Sequence, residues 1–141
     1  MGINFYTKSK KVNVDYDIGY GGMVRLRNKV AKLLDEEFGN HYESLSSLFG
    51  KEDFEIFDKK ANEIISKNIS TKEQELVLDF LFMPDGEGEL TYKHCKAIYD
   101  IIKDDTEETV IRYAFYSKND WKDFKQILFE ISQAKVNLYW H

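Results

Sequence analysis

The residues best suited to chemistry are three carboxylates at every second position of one short loop. They are Asp85, Glu87 and Glu89. Carboxylate oxygens are preferred calcium ligands, and Gly88 matches the glycine that calcium-binding loops need at their sixth position. In that alignment, however, the first and last ligands of the twelve-residue loop would be Met83 and His94, which carry no carboxylate. The three carboxylates are therefore candidate metal ligands with an incomplete ligand set.

The other candidate for chemistry is the single cysteine, Cys95, which follows His94. Neighbouring residues on a helix point about 100° apart, so these two cannot form a catalytic pair with each other. A pair would need His41 or His141 to be brought close by the fold. Cys95 lies on the apolar stripe of its helix, where a free cysteine is usually a small buried side chain. The sequence therefore predicts no catalytic residue, and one cysteine with three scattered histidines gives no zinc site.

Strands are predicted at both ends of the chain. Residues 3–7 and 12–20 form a hairpin in this interpretation, and residues 136–140 form a terminal strand. The second strand alternates between apolar and polar positions. Its apolar face carries Val12, Val14, Tyr16, Ile18 and Tyr20. We expect the strands from the two ends to pair into one small sheet.

Between the predicted strands, apolar residues recur at helical spacing through most of the sequence. The pattern predicts helices over residues 22–38, 52–67, 71–83 and 91–103, and a last one from residue 121. Gly39 is interpreted as the stop of the first helix, and residues 40–50 as irregular. Ser70 with Glu73 has the form of a capping box, and Thr91 is the predicted cap of the fourth helix. Residues 107–116 fit a helix or a strand, and we take them as helix. The sequence thus predicts a helix-dominated α+β fold of about five helices on a small sheet.

Length and charge limit the classes of function. The 141 residues contain 43% apolar residues and one proline, which fits a single globular domain over residues 1–141. The net charge is −5, which disfavours nucleic acid as a partner. Residues 1–32 hold seven Lys or Arg against two Asp, so the acidic charge lies in the remainder. The longest apolar run has four residues, too few to span a membrane. We expect a cytoplasmic protein with no membrane partner.

The order of these parts resembles a family of small uncharacterised bacterial proteins. In that family a glycine-punctuated, tyrosine-rich segment leads into a helix with an arginine, and a Ser-Asp-Cys-Asp-Gly-type loop precedes a helix with a cysteine. The matching parts here are residues 16–27, 82–90, 91–99 and 136–141. The loop keeps Asp85, Gly88 and Leu90. It departs from the family at Pro84, Gly86 and Glu87. Some members of the family look like immunity proteins encoded beside toxins, so the resemblance implies a binding role.

These observations together predict a non-enzymatic protein-binding module that needs no cofactor. The resemblance implies, more narrowly, an immunity protein that neutralises a toxin, and acidity suits a basic target. The expected partner is another protein, and the oligomeric state stays open. The acidic residues expected to contact it are Asp85, Glu87, Glu89, Asp104, Asp105, Glu107 and Glu108. Two alternatives stay open, a calcium- or ligand-responsive regulator using the loop at residues 85–89 and a small enzyme of unknown reaction.

Overall fold

The computed structural model describes residues 2–105 and 120–141. Within them, four antiparallel strands form one sheet in the order β2-β1-β4-β3. The strands are β1 (Gly2–Tyr6), β2 (Asp15–Gly19), β3 (Gly88–Leu90) and β4 (Leu138–Trp140). The predicted sheet of N-terminal hairpin and C-terminal strand is therefore confirmed. Strand β3 was not predicted, because three residues are too few to show a period.

The alternation in β2 sorts its side chains between the two faces of the sheet. Ile18 is buried, and Asp15 and Asp17 are exposed. On the exposed face, the Asn4 amide donates hydrogen bonds to both carboxylates, at 2.7 and 2.8 Å. The helices accordingly pack on the face that carries Ile18 and its apolar neighbour Phe5.

Six α-helices lie within the described residues, so the helix-dominated α+β class is confirmed. They are α1 (Tyr20–Leu34), α2 (Glu36–Tyr42), α3 (Gly50–Asn68), α4 (Lys72–Phe82), α5 (Tyr92–Ile102) and α6 (Asp120–Ala134), with a 3-10 helix at Glu43–Ser47. The helix predicted over residues 107–116 lies outside the described residues. None of the described helices is both long and apolar enough to span a membrane.

The caps of two helices confirm one prediction from the sequence and correct another. The Thr91 cap of α5 is confirmed, with His94 as its reciprocal partner. The capping box of α4 is formed by Thr71 and Gln74, one residue later than the predicted pair of Ser70 and Glu73. The Gln74 side chain accepts hydrogen bonds from the backbone N–H groups of both Ser70 and Thr71. Gln74 thus satisfies two backbone N–H groups that have no partner within the helix, and α4 begins at Lys72.

The prediction that Gly39 ends the first helix was wrong. Helix α1 ends at Leu34, and Asp35 caps α2 by accepting a hydrogen bond from the Phe38 N–H at 2.9 Å. The region 40–50, expected to be irregular, therefore begins inside a helix. Gly39 lies within α2 and against α1, because a Cβ atom there would stand 2.4 Å from the Cα of Lys32. The glycine permits close packing of two helices.

We predict that Gly39→Ala lowers the free energy of unfolding by up to about 2 kcal/mol. Overpacking against backbone costs about 1–3 kcal/mol, and the helix propensity that alanine gains over glycine offsets ~1 kcal/mol of it. The matched control is Gly86→Ala, because nothing lies within 4 Å of a Cβ atom at that loop position. Urea denaturation measures both. Equal stability of the two variants would show that α1 and α2 are not in close contact at Gly39.

Candidate functional site

The three loop carboxylates do not converge on one point. Asp85 forms an ion pair with Arg27 at 2.8 Å. Glu89 lies in β3 and accepts a hydrogen bond from the Asn137 amide at 3.0 Å, while Glu87 is exposed. In the part of the chain that the structure describes, no three acidic, histidine or cysteine side chains are close enough to hold a metal ion. The loop thus leaves Asp85 and Glu87 exposed, and one oxygen of Asp85 meets the buried Arg27.

The second acidic group lies elsewhere. Asp105 pairs with Lys29 of α1 at 3.3 Å, and Asp104 is exposed. Because residues two positions apart on a helix point about 200° apart, Arg27 and Lys29 hold their carboxylates on different sides of α1. Glu107 and Glu108 lie outside the described residues. Among the described residues, Asp85 and Asp105 therefore do not belong to one continuous acidic surface.

Arg27 of α1 is a charged residue in the core, with only 4% of its side chain exposed. Its Nη1 donates to the Met83 carbonyl at 2.9 Å and to Asp85 at 2.8 Å. The guanidinium lies 5.1 Å from the ring centre of Phe80 and 5.6 Å from that of Trp140. These distances fit cation–π contacts. A charged group is thus held against two aromatic rings of the core.

The remaining nitrogens of Arg27 make no comparable contacts. Nε and Nη2 are buried and have no hydrogen-bond acceptor among residues 2–105 and 120–141. Burial lowers the pKa of the guanidinium, and the neighbouring Tyr42 and Asp85 raise it. Buried donors without acceptors cost free energy. Nε and Nη2 are thus enclosed by the core, where the Tyr42 side chain is a polar neighbour of the guanidinium.

Arg27 lines a cleft of about 400 Å³ between α1, the 3-10 helix and the ends of α3 and α4. Apolar side chains form most of the wall. They include Val24, Leu45, Phe54, Phe82 and Pro84. The polar side chains in the lining include Asn28, Tyr42 and Ser46, and Asp85 stands at the edge, 66% exposed. Volume and lining are typical of a small-molecule site, with mostly apolar walls and a few polar groups.

Tyr42 fixes one side of this cleft. Its hydroxyl donates a hydrogen bond to the Leu81 carbonyl at 2.7 Å, which ties α2 to α4. Burial raises the pKa of this hydroxyl to about 12, although Arg27 acts in the opposite direction. The Tyr42 side chain also lies close enough to the Arg27 guanidinium for each group to shift the pKa of the other.

A third polar contact joins β2 to α6. The Tyr16 hydroxyl contacts the carboxylate of Asp120, and that of Asp123 at 3.0 Å. Burial, followed by these two carboxylates, raises the pKa of Tyr16. The contact places the first turn of α6 against the edge of the sheet.

The structure keeps every histidine away from the thiol of Cys95. His94 caps α5 through Nδ1, and its Nε2 lies 3.1 Å from Asp79. His41 is stacked on Phe57, and its Nε2 lies 3.0 Å from the Phe57 carbonyl oxygen. His141 packs edge-on against Tyr6. Cys95 is fully buried, as its apolar stripe predicted.

Large apolar side chains are exposed around the first turns of α3. Phe49, the residue before this helix, is 88% exposed, and Ile56 is 64% exposed. Phe54 and Phe82 are also exposed and line the cleft, and Phe54 points about 200° away from Ile56 around α3. Phe49 and Ile56 are seven residues apart and share one side of the helix, and we call these two residues the α3 patch. Helix α3 buries three side chains, Phe57, Ala61 and Ile64. Its outer surface is therefore open to a partner.

Sequence reasoning did not identify Arg27 or the α3 patch as functional. A signal for Arg27 existed, because it stands four residues after Met23 and three before Val30, on the buried face of α1. A lone arginine in an apolar stripe is seldom fully buried unless it is paired. The pairing itself joins positions 58 residues apart, and no local pattern shows it. No protein-family model, curated protein or solved structure matches the chain.

The reactivity of the Cys95 thiol tests whether α5 packs into the core as described. Burial raises its pKa to about 12, far above the ~8.5 of a free cysteine. We predict that a thiol reagent labels the native protein slowly at about pH 8 and the urea-unfolded protein fast, because the thiolate is the reactive form. Cys95→Ala should lower the free energy of unfolding by about 1 kcal/mol through a small cavity. Fast labelling of the native protein would place the thiol at the surface and contradict the packing of α5.

Proposed function

We propose that this protein is a non-enzymatic protein-binding module that contacts its partner through the α3 patch. The supporting observation is the exposure of Phe49 and Ile56 on a helix that has few buried residues. Exposed apolar groups gathered in one place and bordered by polar residues are typical of protein interaction sites. Aromatic side chains, phenylalanine included, are also enriched in such contacts.

The charge of the whole protein indicates the kind of partner. On α3 itself the exposed charges are mixed, with Glu52, Glu55 and Asp58 beside Lys59 and Lys60. The net charge of −5 fits a basic partner, since opposite potentials speed association and select the partner. The proposed function in its narrower form is that of an immunity protein which covers a basic toxin, such as a nuclease.

The test is direct binding to the products of the genes next to its own. Each product is co-expressed with this protein, and complexes are measured by calorimetry after purification. We predict that one basic neighbour binds and that Phe49→Ser with Ile56→Ser weakens its affinity at least tenfold, because each lost apolar contact is worth about 1 kcal/mol or more. Both residues are exposed, so the melting temperature should stay unchanged.

The matched control is Phe129→Ser, which removes an exposed phenyl ring on the outside of α6, where it packs against Tyr99. This variant should bind like the wild type. The proposal is overturned if no neighbouring product binds, or if the control loses as much affinity as the double variant. Protection of cells from the bound neighbour's toxicity, abolished by the same double variant, would support the immunity role.

A further inference from the structure

We propose that a second copy of this chain covers the α3 patch in the free protein, in a two-fold symmetric dimer of antiparallel α3 helices. The juxtaposition that carries this proposal is an exposed apolar patch, Phe49 and Ile56, between charges of opposite sign in the two halves of the same helix. The dimer goes beyond the proposed binding of another protein, because it forms from this chain alone.

Helix α3 is accessible along the side that carries Ile56. Among the described residues it packs mainly on α2, and it buries only Phe57, Ala61 and Ile64. Ile56 follows Phe57 around the helix by about 100° and is 64% exposed. With a rise of about 1.5 Å per residue, the 19 residues of α3 extend over about 28 Å. This length is enough for two copies to align over several turns.

The charges that flank Ile56 are separated by sign along the helix. Glu52 is four residues before Ile56 and Lys59 three residues after it, so both lie on one flank of its side. Asp53 and Lys60 occupy the other flank by the same spacing. Each flank thus has a carboxylate toward the N-terminus of the helix and an ammonium group toward its C-terminus.

A two-fold axis at Ile56 brings these opposite charges together. In an antiparallel pair, residues at similar distances before and after the axis meet, and the two-fold symmetry places each flank against the same flank of the other copy. Glu52 then meets Lys59 of the second copy, and Asp53 meets Lys60 of the second copy. Symmetry repeats both contacts. A parallel pair would place Glu52 against its own copy, so the charge pattern favours the antiparallel orientation.

The centre of this contact is apolar. Ile56 packs against its own copy at the axis, and Phe49 packs two turns away on the aliphatic stems of the charged side chains of the second copy. The net charge of −5 on each copy opposes association, but salt screens distant charges more than adjacent ones. Two helix faces bury a small area, so the dimer is transient.

The dimer also controls access to the α3 patch, and this consequence rests on the proposed function. Phe49 and Ile56 cannot contact a second copy and another protein at the same time. The second copy therefore shields the two apolar side chains from water until a partner that binds more tightly displaces it.

The experiment is sedimentation equilibrium of the whole protein, from low micromolar to millimolar concentration at physiological ionic strength. We expect a monomer–dimer equilibrium. Glu52→Lys should weaken it about tenfold, because two attractive contacts become repulsive, and Lys59→Glu should do the same. The matched control is Asp58→Lys, which reverses an exposed charge that points about 200° away from Ile56. A monomer at every concentration, or equal weakening by Asp58→Lys and Glu52→Lys, would overturn the proposal.

A mixture of the two charge-reversed variants tests the antiparallel pairing itself. When Glu52→Lys and Lys59→Glu are mixed in equal amounts, opposite charges meet again in both contacts, so the mixture should regain wild-type dimerisation. The double exchange within one chain should also regain it, at unchanged net charge. If both mixture and double exchange stay monomeric while their melting temperatures show folded proteins, the pairing is overturned.

The outcome is separable from that of the protein-binding test, because the dimer needs no neighbouring gene product. A dimer that binds no neighbour contradicts only the proposed function. A monomer that binds a neighbour through Phe49 and Ile56 contradicts only the dimer.

Discussion

The contact of the Arg27 guanidinium with the rings of Phe80 and Trp140 is the interaction on which the cleft depends. It brings together α1, α4 and β4 at one point, with ring centres 5.1 and 5.6 Å from the charge. The aromatic faces stabilise the cation that burial destabilises. The guanidinium donates hydrogen bonds from Nη1 to Asp85 and to the Met83 carbonyl, which hold it against these rings.

The small sheet positions these rings. Strand β4 lies between β1 and β3, so Trp140 is held from both sides and packs on Phe5 as well as Phe80. Gly88 in β3 leaves the space that the indole fills, because a Cβ atom there would stand 2.1 Å from the Trp140 ring. The short strands β3 and β4 thus determine where the Arg27 guanidinium lies in the core, because they position the Trp140 ring beside it. Local backbone pairing thereby determines the position of Arg27 in the wall of the cleft.

The sequence predicted those parts of the fold that repeat with a period. The alternation around Ile18 and the stripe with Cys95 on α5 each extend over several residues, so hydrophobic spacing identifies them. Gly39 shows a limit, because a glycine after a helical pattern signals a stop as readily as a close approach between helices. The cleft shows another limit, since Arg27 and Asp85 meet only through tertiary folding. A site built from one buried charge and scattered apolar walls leaves no motif to find.

The side-chain proton–nitrogen NMR spectrum of Arg27 tests the central claim most directly. Buried N–H groups without an acceptor exchange slowly with water and resonate upfield of hydrogen-bonded ones. We predict this behaviour for Nε–H of Arg27, because this group is buried and has no acceptor among the described residues. An Nε–H signal that is downfield and in the range of hydrogen-bonded groups would show that the fold itself satisfies this group. That result would contradict the account.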